Sequence, residues 1–465
     1  MQDLRSFLKE LEEKAPNLFF RVEKPVSPVF EVAGIARRLA EESRYPAIYC
    51  KQVNGFSMPL VANVAIGSDT QRIALGGGAS RDELLAKLGH LIKPRLVKNG
   101  PVQEIVKLGA DVDLGELPIV THAEKDAGPY ITIGLAVVKD PDTGVPNWGI
   151  YRIMGKGERS RLGIYFTGGG ALGIGHIYRK MEARNQAMEI AIVIGNHPCI
   201  TMTTAFAGRL EDDEMDFAGA LLGEPVRLVK CKTVDLEVPA DSEIVLEGRV
   251  IPHLREPEAP FGEFTGYYGP ERANPVIELT AITRRADAIY EDLTPLGYYI
   301  LGAPGGGGPL AGAWMYKELK RIIPQVIEVY AYPWAGPMVV KLRKDFEGLG
   351  QQAGLVALSL RHVPRMVIIV DEDVNIRNPY EVLWALATRT RGDQEFSFIQ
   401  NCLTNPLHPC SHSLGDTQEA GAVVTKVIID ATKPLGIPFP ERCDVPREYW
   451  VGLDLESLKK AGPKS

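Results

Sequence analysis

Two glutamates in a stretch rich in proline and glycine have a spacing that suggests acid–base chemistry. Glu258 and Glu263 lie five residues apart in EPEAPFGEFTGYYG, and the proline and glycine between them prevent a regular helix. We therefore expect a compact loop that brings the two carboxylates toward one point. Neighbouring carboxylates in a partly apolar site have pKa values that move apart, so one of them can remain a protonated acid. A solvated acidic turn is the alternative interpretation.

A second pattern, PNWGIYR, places Asn147 and Arg152 five residues apart around an apolar middle. In an extended strand these side chains would face opposite ways, so both reach one site only if the chain bends between them. An arginine there could bind the carboxylate of a substrate or of a glutamate through two parallel hydrogen bonds. The alternative is a strand end with a surface arginine.

A third pattern is a run of four acids, Glu211–Glu214, at the start of a predicted helix. The helix dipole attracts acids to an N-terminus, which explains most of them. One of these carboxylates could instead bind a hard cation, because carboxylate oxygens suit Mg²⁺ and Mn²⁺.

Two further patterns are weaker signals. The sequence HPCSH places His408, Cys410 and His412 close together, but no partner motif completes a zinc site, so a metal hydrolase is a distant alternative. The glycine runs at 168–170 and 305–308 lack the fingerprints of phosphate-binding loops.

The composition restricts the class of protein that carries these patterns. The chain has 465 residues, 45% hydrophobic and 24% charged, as is typical of folded globular proteins. Its net charge of −7 argues against a nucleic-acid-binding protein. Six widely spread cysteines without a C-x-x-C pair suit a reducing compartment. We find no signal peptide and no apolar run of membrane-spanning length, so we expect a cytoplasmic protein without a membrane partner.

Three regions of secondary structure must position these residues. The first hundred residues predict an α+β region, with helices at 4–14, 29–43 and 81–92, the first and last capped by Asp3 and Ser80. Many short β-like runs between 130 and 292 favour a barrel or sandwich, interrupted by helices near 176–187 and 212–222. The glycine-rich segment 302–312 predicts a loop at a domain boundary, and the alternating strands and helices after it indicate a parallel or mixed sheet.

Taken in order, these segments resemble the UbiD family of decarboxylases, which use prenylated flavin mononucleotide (prenylated FMN). The resemblance covers about residues 1–440 and is strongest over 111–290, through strings such as FAGALLGEPVRLVKC and EAPFGEFTGYYGP. It implies an α/β fold of several domains. These would be an N-terminal α+β domain at 1–110, a flavin-reductase-like split β-barrel that binds the cofactor at 111–304, and a C-terminal α/β dimerisation domain at 305–465.

The same resemblance assigns roles to individual residues. Arg152 is similar to the family's active-site arginine, Glu258 to the glutamate that pairs with it, and Glu263 to the acid that protonates the product carbon. Asn147 and Glu214 resemble ligands of the Mn²⁺ or Mg²⁺ that binds the cofactor phosphate. The expected cofactor contacts are Asn147, Ile150, Arg152, Thr204, Ala205, Glu214 and Lys426, and the stretch 203–205 would also border a monovalent cation such as K⁺.

The sequence departs from the family pattern at two places. Many relatives have a histidine as third metal ligand, where this chain has Thr167. The third ligand is therefore His176, Thr167 or water. The segment 302–312 also lacks a Pro-Pro pair that relatives often show nearby, so the substrate does not carry over.

The resemblance implies reversible non-oxidative decarboxylation of an aromatic, heteroaromatic or α,β-unsaturated carboxylic acid. Loss of CO₂ leaves charge on an sp² carbon, which no side chain delocalises well, and the cofactor would provide the electron sink. The alternatives are a physiological carboxylase and a non-catalytic subunit of a multi-subunit enzyme. The expected partners are the acid substrate, a flavin prenyltransferase that supplies the cofactor, and a second copy of the chain in a homodimer or larger oligomer.

Overall fold

Four helices and a small sheet make up the N-terminal region. The computed structural model describes residues 3–64, 66–77, 80–166, 173–203, 212–295, 308–332, 336–360, 364–404, 406–414, 422–455 and 458. The first elements are α1 (Leu4–Lys14), β1 (Phe19–Val22), α2 (Glu31–Glu41), β2 (Ala47–Cys50), β3 (Leu60–Ala62), α3 (Ser68–Ala74), α4 (Arg81–Leu88) and β4 (Arg95–Leu96). Both predicted caps are confirmed, because the Asp3 and Ser80 side chains accept hydrogen bonds from the backbone amides of Ser6 and Glu83.

A curled antiparallel sheet of nine strands forms the centre of the molecule. Its strands are β5 (Ile105–Leu108), β6 (Tyr130–Ile131), β7 (Leu135–Lys139), β8 (Pro146–Ile150), β9 (Ile153–Gly155), β10 (Arg161–Ile164), β11 (Met188–Ile194), β14 (Ile244–Glu258) and β17 (Arg272–Arg284). The spatial order is β6-β9-β10-β17-β14-β11-β7-β8, with β5 paired to β17. The barrel-like architecture predicted from the short β-runs is confirmed.

The remaining central elements connect this sheet to its surroundings. They are α5 (Gly173–Ala183), α6 (Pro198–Thr203), α7 (Glu214–Leu222), β12 (Arg227–Lys230), β13 (Glu237–Pro239), β15 (Phe261–Gly262), β16 (Tyr268–Gly269) and β18 (Tyr290–Asp292). Strand β18 pairs in parallel with β3, and β12 pairs in parallel with β4. The N-terminal and central regions therefore share two sheets.

The long hairpin of β14 and β17 determines where the glutamate stretch lies. These strands have 15 and 13 residues, and their register pairs Glu258 with Arg272 and Glu256 with Asn274. The chain between them turns back through the short strands β15 and β16, which pair with each other. The predicted compact loop is thus a small hairpin that carries Glu263 just beyond β15.

The C-terminal region is the predicted mixed sheet with helices. It contains α8 (Pro309–Ile322), β19 (Val326–Ala331), β20 (Met338–Leu342), α9 (Leu349–Ser359), β21 (Met366–Val370), α10 (Pro379–Arg389), β22 (Phe396–Thr404) and β23 (Ala422–Ala431). Strands β20, β21 and β23 are parallel, and antiparallel strands flank them. None of the helices in the described ranges is long and apolar enough to cross a bilayer.

The interpretation of 302–312 as a loop was wrong in its second half. Residues 302–307 lie outside the described residues, whereas 309–312 form the first turn of α8. Pro309 suits that position because the first turn of a helix does not need its N–H groups, and Gly308 before it has a φ of 94°.

Two glycine-to-alanine substitutions test the packing of this fold. A Cβ on Gly248, in β14, would lie 2.5 Å from the Glu278 carbonyl oxygen on β17, whereas a Cβ on Gly34, on the exposed side of α2, would meet nothing within 4 Å. We expect Gly248→Ala to destabilise the protein by about 1–3 kcal/mol through overpacking. Gly34→Ala should stabilise it by up to about 1 kcal/mol through helix propensity. Thermal unfolding midpoints that fall in both variants would contradict this packing.

Candidate active site

Arg152 is held between two buried glutamates at the ends of the central strands. Its Nε and Nη2 donate to the two carboxylate oxygens of Glu258 at 3.0 and 2.7 Å, and its Nη1 donates to Glu263. The side chains of Arg152 and Glu263 are 8% and 6% exposed, and that of Glu258 is fully buried. We call Arg152, Glu258 and Glu263 the arginine–glutamate triad.

The local backbone explains how these three residues meet. Strand β8 ends at Ile150 and β9 begins at Ile153, so Arg152 lies in the break between two strands. The chain therefore breaks between Asn147 and Arg152, as PNWGIYR allowed, but the break does not bring their side chains into contact. Asn147 contacts Glu214, whereas Arg152 contacts Glu258 and Glu263.

Glu258 is fixed by further hydrogen bonds as well as by the arginine. Asn274, its diagonal neighbour on β17, donates from Nδ2 to one carboxylate oxygen at 2.7 Å. The neighbouring Ala259 amide donates to the Tyr130 hydroxyl at 3.1 Å. Aromatic rings cover the guanidinium, with Arg152 Cζ 4.4 Å from the Tyr165 ring centroid and 5.4 Å from that of Phe261. A guanidinium over an aromatic face gains cation–π stabilisation.

The electrostatics of the triad favour a protonated form of Glu263. Burial raises the pKa of Glu263, Arg152 opposes the shift, and the charge of Glu258 adds to it. Burial alone would lower the pKa of Arg152, but the charges of the two carboxylates raise it, so the guanidinium stays charged. Because the native pKa of Glu263 is raised, ionising this group removes native-state stability as the pH rises through that pKa.

Asp126 ties the hairpin that bears Glu263 to the central sheet. Its Oδ1 accepts from the Gly262 amide at 2.8 Å, and its Oδ2 accepts from the amides of His122 and Ala123 at 3.1 and 2.8 Å. The Ala127 amide adds a hydrogen bond to the Pro260 carbonyl at 2.9 Å. Asp126 therefore sets the position of the residue directly before Glu263.

A second cluster lies at the other end of PNWGIYR. Asn147, which is 9% exposed, donates from Nδ2 to Glu214 Oε1 at 3.4 Å. We call these two residues the amide–carboxylate pair. Helix α5 begins beside it, since a Cβ on Gly173 would lie 3.4 Å from Asn147 Oδ1. Glu214 is the first residue of α7, where Asp213 is the N-cap and accepts from the Met215 amide.

The pair has the chemistry of a hard-cation site. One amide oxygen and one carboxylate in contact are the ligand types that Mg²⁺ and Mn²⁺ prefer. Among the described residues, no group of three or more histidine, cysteine, aspartate or glutamate side chains is arranged to hold a metal. His176 is half-buried and lies one turn into α5, so its assignment as third ligand stays a prediction. Thr167 lies outside the described residues.

The other predicted cofactor contacts are spread over the molecule. Ile150 is the last residue of β8, and Thr203 ends α6 with its hydroxyl bonded to the Ile200 carbonyl. Lys426 is 4% exposed on β23, where its Nζ donates to the Leu358 carbonyl at 3.2 Å and burial lowers its pKa. Thr204 and Ala205 lie outside the described residues.

An open cleft lies against the triad. The central region contributes Arg152, Tyr165, Glu263 and residues between 265 and 272, and the C-terminal region contributes Pro406, Leu407 and Pro409. Gly269 packs directly against the guanidinium, because a Cβ at this position would lie 3.0 Å from Arg152 Nη1. A small molecule in this cleft would reach both Glu263 and the guanidinium.

Sequence reasoning missed several of these residues. Asn274 could have been found by pairing β14 with β17, since its register follows from the hairpin. The segment of HPCSH, considered there only as a metal motif, instead contributes to the cleft through Pro409 beside the buried His408, whose pKa burial lowers to about 4. No local signal pointed to this contact, because it joins residues far apart in sequence.

Comparisons with known proteins cover almost the whole chain. Three family models match it, those of the N-terminal domain, the Rift-related domain and the C-terminal domain of 3-octaprenyl-4-hydroxybenzoate carboxy-lyase (UbiD). They match residues 11–92, 95–298 and 307–431, respectively. The triad and the amide–carboxylate pair all fall within the Rift-related match.

Individual relatives are similar over their full lengths. Anhydromevalonate phosphate decarboxylase of Methanothermobacter thermautotrophicus is 32% identical over 446 residues, covering 93% of this chain and 97% of the relative. Phenolic acid decarboxylase of Sedimentibacter hydroxybenzoicus is 33% identical over 464 residues, covering 93% and 92%. The UbiD-class enzyme HmfF from Pelotomaculum thermopropionicum, solved in complex with FMN, superposes with a TM-score of 0.86 at 33% identity, covering 98% of this chain and 99% of its own. An evolved dimeric form of HmfF in complex with prenylated FMN gives a TM-score of 0.85 at 32% identity, covering 98% and 100%.

Asp126→Asn tests whether this residue positions the Glu263 hairpin. The variant keeps the size of the side chain but turns an amide N–H₂ toward backbone donors, so the hairpin loses charge-assisted hydrogen bonds. We expect hydrogen–deuterium exchange of residues 261–269 to become roughly 10- to 100-fold faster, while β11 stays protected. Asp235→Asn, at a carboxylate whose side chain is 88% exposed, is the matched control. Unchanged exchange in 261–269 would show that Asp126 does not hold this segment.

Proposed function

Because the chain belongs to the UbiD family and is a carboxy-lyase, we propose that it is a prenylated-FMN-dependent, non-oxidative decarboxylase. Its substrate would be an aromatic, heteroaromatic or α,β-unsaturated carboxylic acid. The observation that carries this proposal is the arginine–glutamate triad at the wall of an open cleft. Two buried carboxylates that share one guanidinium are costly to remove from water, and clusters of this kind concentrate at catalytic sites.

The chain offers suitable groups for both ends of the cofactor. Asn147 and Arg152 are five residues apart, which spans at most roughly 17 Å of chain and suits a flavin mononucleotide lying between them. The amide–carboxylate pair would hold Mn²⁺ or Mg²⁺ at the phosphate end. Ile150, Thr204, Ala205 and Lys426 would complete the cofactor contacts, with K⁺ near 203–205. Bound prenylated FMN would supply the electron sink for decarboxylation at an sp² carbon.

The residues of the triad would divide the remaining work. Glu263 would deliver a proton to the carbon that loses CO₂, because it lies in the cleft wall and burial raises its pKa above that of an ordinary glutamate. Arg152 would fix the position of Glu258 through its two hydrogen bonds and orient the substrate. Since the same proton can be removed from that carbon in reverse, the reaction would be reversible, and carboxylation at high CO₂ is the nearest alternative.

The wider organisation also follows from the family. We propose the division into domains at 1–110, 111–304 and 305–465, with dimerisation through the last. The relatives' names include a phenolic acid and a phosphate-bearing compound, so the proposed substrate class is kept broad. A flavin prenyltransferase would supply the cofactor, and we place the enzyme in the cytoplasm.

Glu263→Gln should abolish turnover without disturbing the fold. Glutamine keeps the size and hydrogen bonding of the side chain but has no acidic proton, and loss of a general acid typically lowers a rate by about 10²–10⁴-fold. The assays are CO₂ release and hydrogen–deuterium exchange at the product carbon, with Glu271→Gln, at an exposed neighbouring site, as control. A Glu263→Gln enzyme that performs both at the wild-type rate would move the acid role to Glu258.

Glu214→Ala should release the metal and weaken retention of the cofactor. Removing a carboxylate ligand should weaken metal binding by at least about 10- to 100-fold, measured as metal content and flavin absorbance after gel filtration. Asp69→Ala is the control, because Asp69 is also an acid in the first turn of a helix. Normal metal content in Glu214→Ala would refute the assignment. Loss of metal in His176→Ala would identify the third ligand.

A further inference from the structure

Arg272 is a second cation in the cleft wall, outside the arginine–glutamate triad. It begins β17 opposite Glu258, and its Nη1 donates to the Tyr165 hydroxyl at 3.3 Å. The guanidinium of Arg152 covers the ring of the same tyrosine, with its Cζ 4.4 Å from the ring centroid. The two guanidiniums therefore contact the same tyrosine, Arg152 at the ring and Arg272 at the hydroxyl group. Both residues line the cleft.

The charge balance of the triad gives Arg272 a role. One guanidinium faces one carboxylate when Glu263 is protonated and two when it is ionised, so the triad has no net positive charge to attract an anionic substrate. Three of the five N–H donors of Arg152 already serve Glu258 and Glu263. Of the charged residues that line the described cleft, Arg272 is the cation outside the triad.

Arg272 is suited to bind an anionic group of the substrate other than the carboxylate that is lost as CO₂. If the proposed function holds, the reacting carbon lies beside Glu263, because it receives the proton from that residue. A cation bound to the departing carboxylate would stabilise the starting acid more than the transition state, in which that charge moves away. Arg272, at the hydroxyl end of Tyr165, can instead bind an anionic group that remains through the reaction.

The rest of the cleft is consistent with such a substrate. The Thr265 hydroxyl oxygen is buried in the cleft wall and has no hydrogen-bond partner among the described residues, so it can donate to an anion. Pro406, Leu407 and Pro409 form an apolar wall for a carbon skeleton. We propose that Arg272, assisted by Thr265, binds a second anionic group of the substrate, a carboxylate or a phosphate. The substrate class would then be unsaturated or aromatic acids with two anionic groups.

Binding of matched acids to the holoenzyme tests this proposal independently of turnover. The aliphatic set consists of crotonate, which has no second anionic group, glutaconate, which has a second carboxylate, and 4-phosphonocrotonate, which has a phosphonate. The aromatic pair is benzoate and terephthalate, which differ by one carboxylate. Isothermal titration should show at least about tenfold tighter binding of the acids with a second anion. Comparison of glutaconate with 4-phosphonocrotonate distinguishes a carboxylate from a phosphate-like group.

Substitutions of Arg272 provide the decisive comparison. Arg272→Gln should reduce the preference for acids with a second anion by about 10- to 100-fold. Arg272→Lys should restore part of this preference, because lysine keeps the positive charge but lacks the paired N–H donors of the guanidinium. Arg159→Gln, at a side chain that is 67% exposed, controls for general loss of charge. Equal weakening of both members of a pair, or an unchanged preference, would overturn the proposal. Preferential binding without CO₂ release from any acid would overturn the proposed function and leave the Arg272 site standing.

Discussion

The sharing of one guanidinium by two buried glutamates is the interaction on which the site depends. Arg152 makes two hydrogen bonds to Glu258 and a third to Glu263, in surroundings that exclude nearly all water. One positive charge cannot neutralise two carboxylates, so the arrangement favours a proton on one of them. Glu258 has additional support from Asn274, whereas burial raises the pKa of Glu263. The asymmetry between the two glutamates follows from these neighbours.

The breaks and hairpins of the central sheet bring the three residues of the triad together. Arg152 occupies the break between β8 and β9, Glu258 ends the long strand β14, and Glu263 lies on the hairpin that joins β14 to β17. Asp126 binds that hairpin to the segment before β6. The C-terminal region closes the other side of the cleft through Pro406, Leu407 and Pro409, so the site includes two regions of the chain.

Much of this architecture could be predicted from sequence, because its signals are local. The caps at Asp3 and Ser80 and the short β-runs of the central region all depend on neighbouring residues. The residues of the triad were found through unusual strings and their order. Asn274 and Leu407 were missed because their contacts depend on strand register and on packing between regions. The first turn of α8 was mistaken for a loop, since its glycine and proline content obscured a helix start.

We expect the triad to perform decarboxylation only with prenylated FMN in place. The most direct measurement is CO₂ release from a panel of aryl and acrylic acids, comparing enzyme produced with a flavin prenyltransferase against enzyme produced without one. We expect CO₂ release from at least one acid by the first preparation and none by the second. Decarboxylation at full rate by flavin-free protein, or none by protein with a full content of prenylated FMN across the panel, would contradict it.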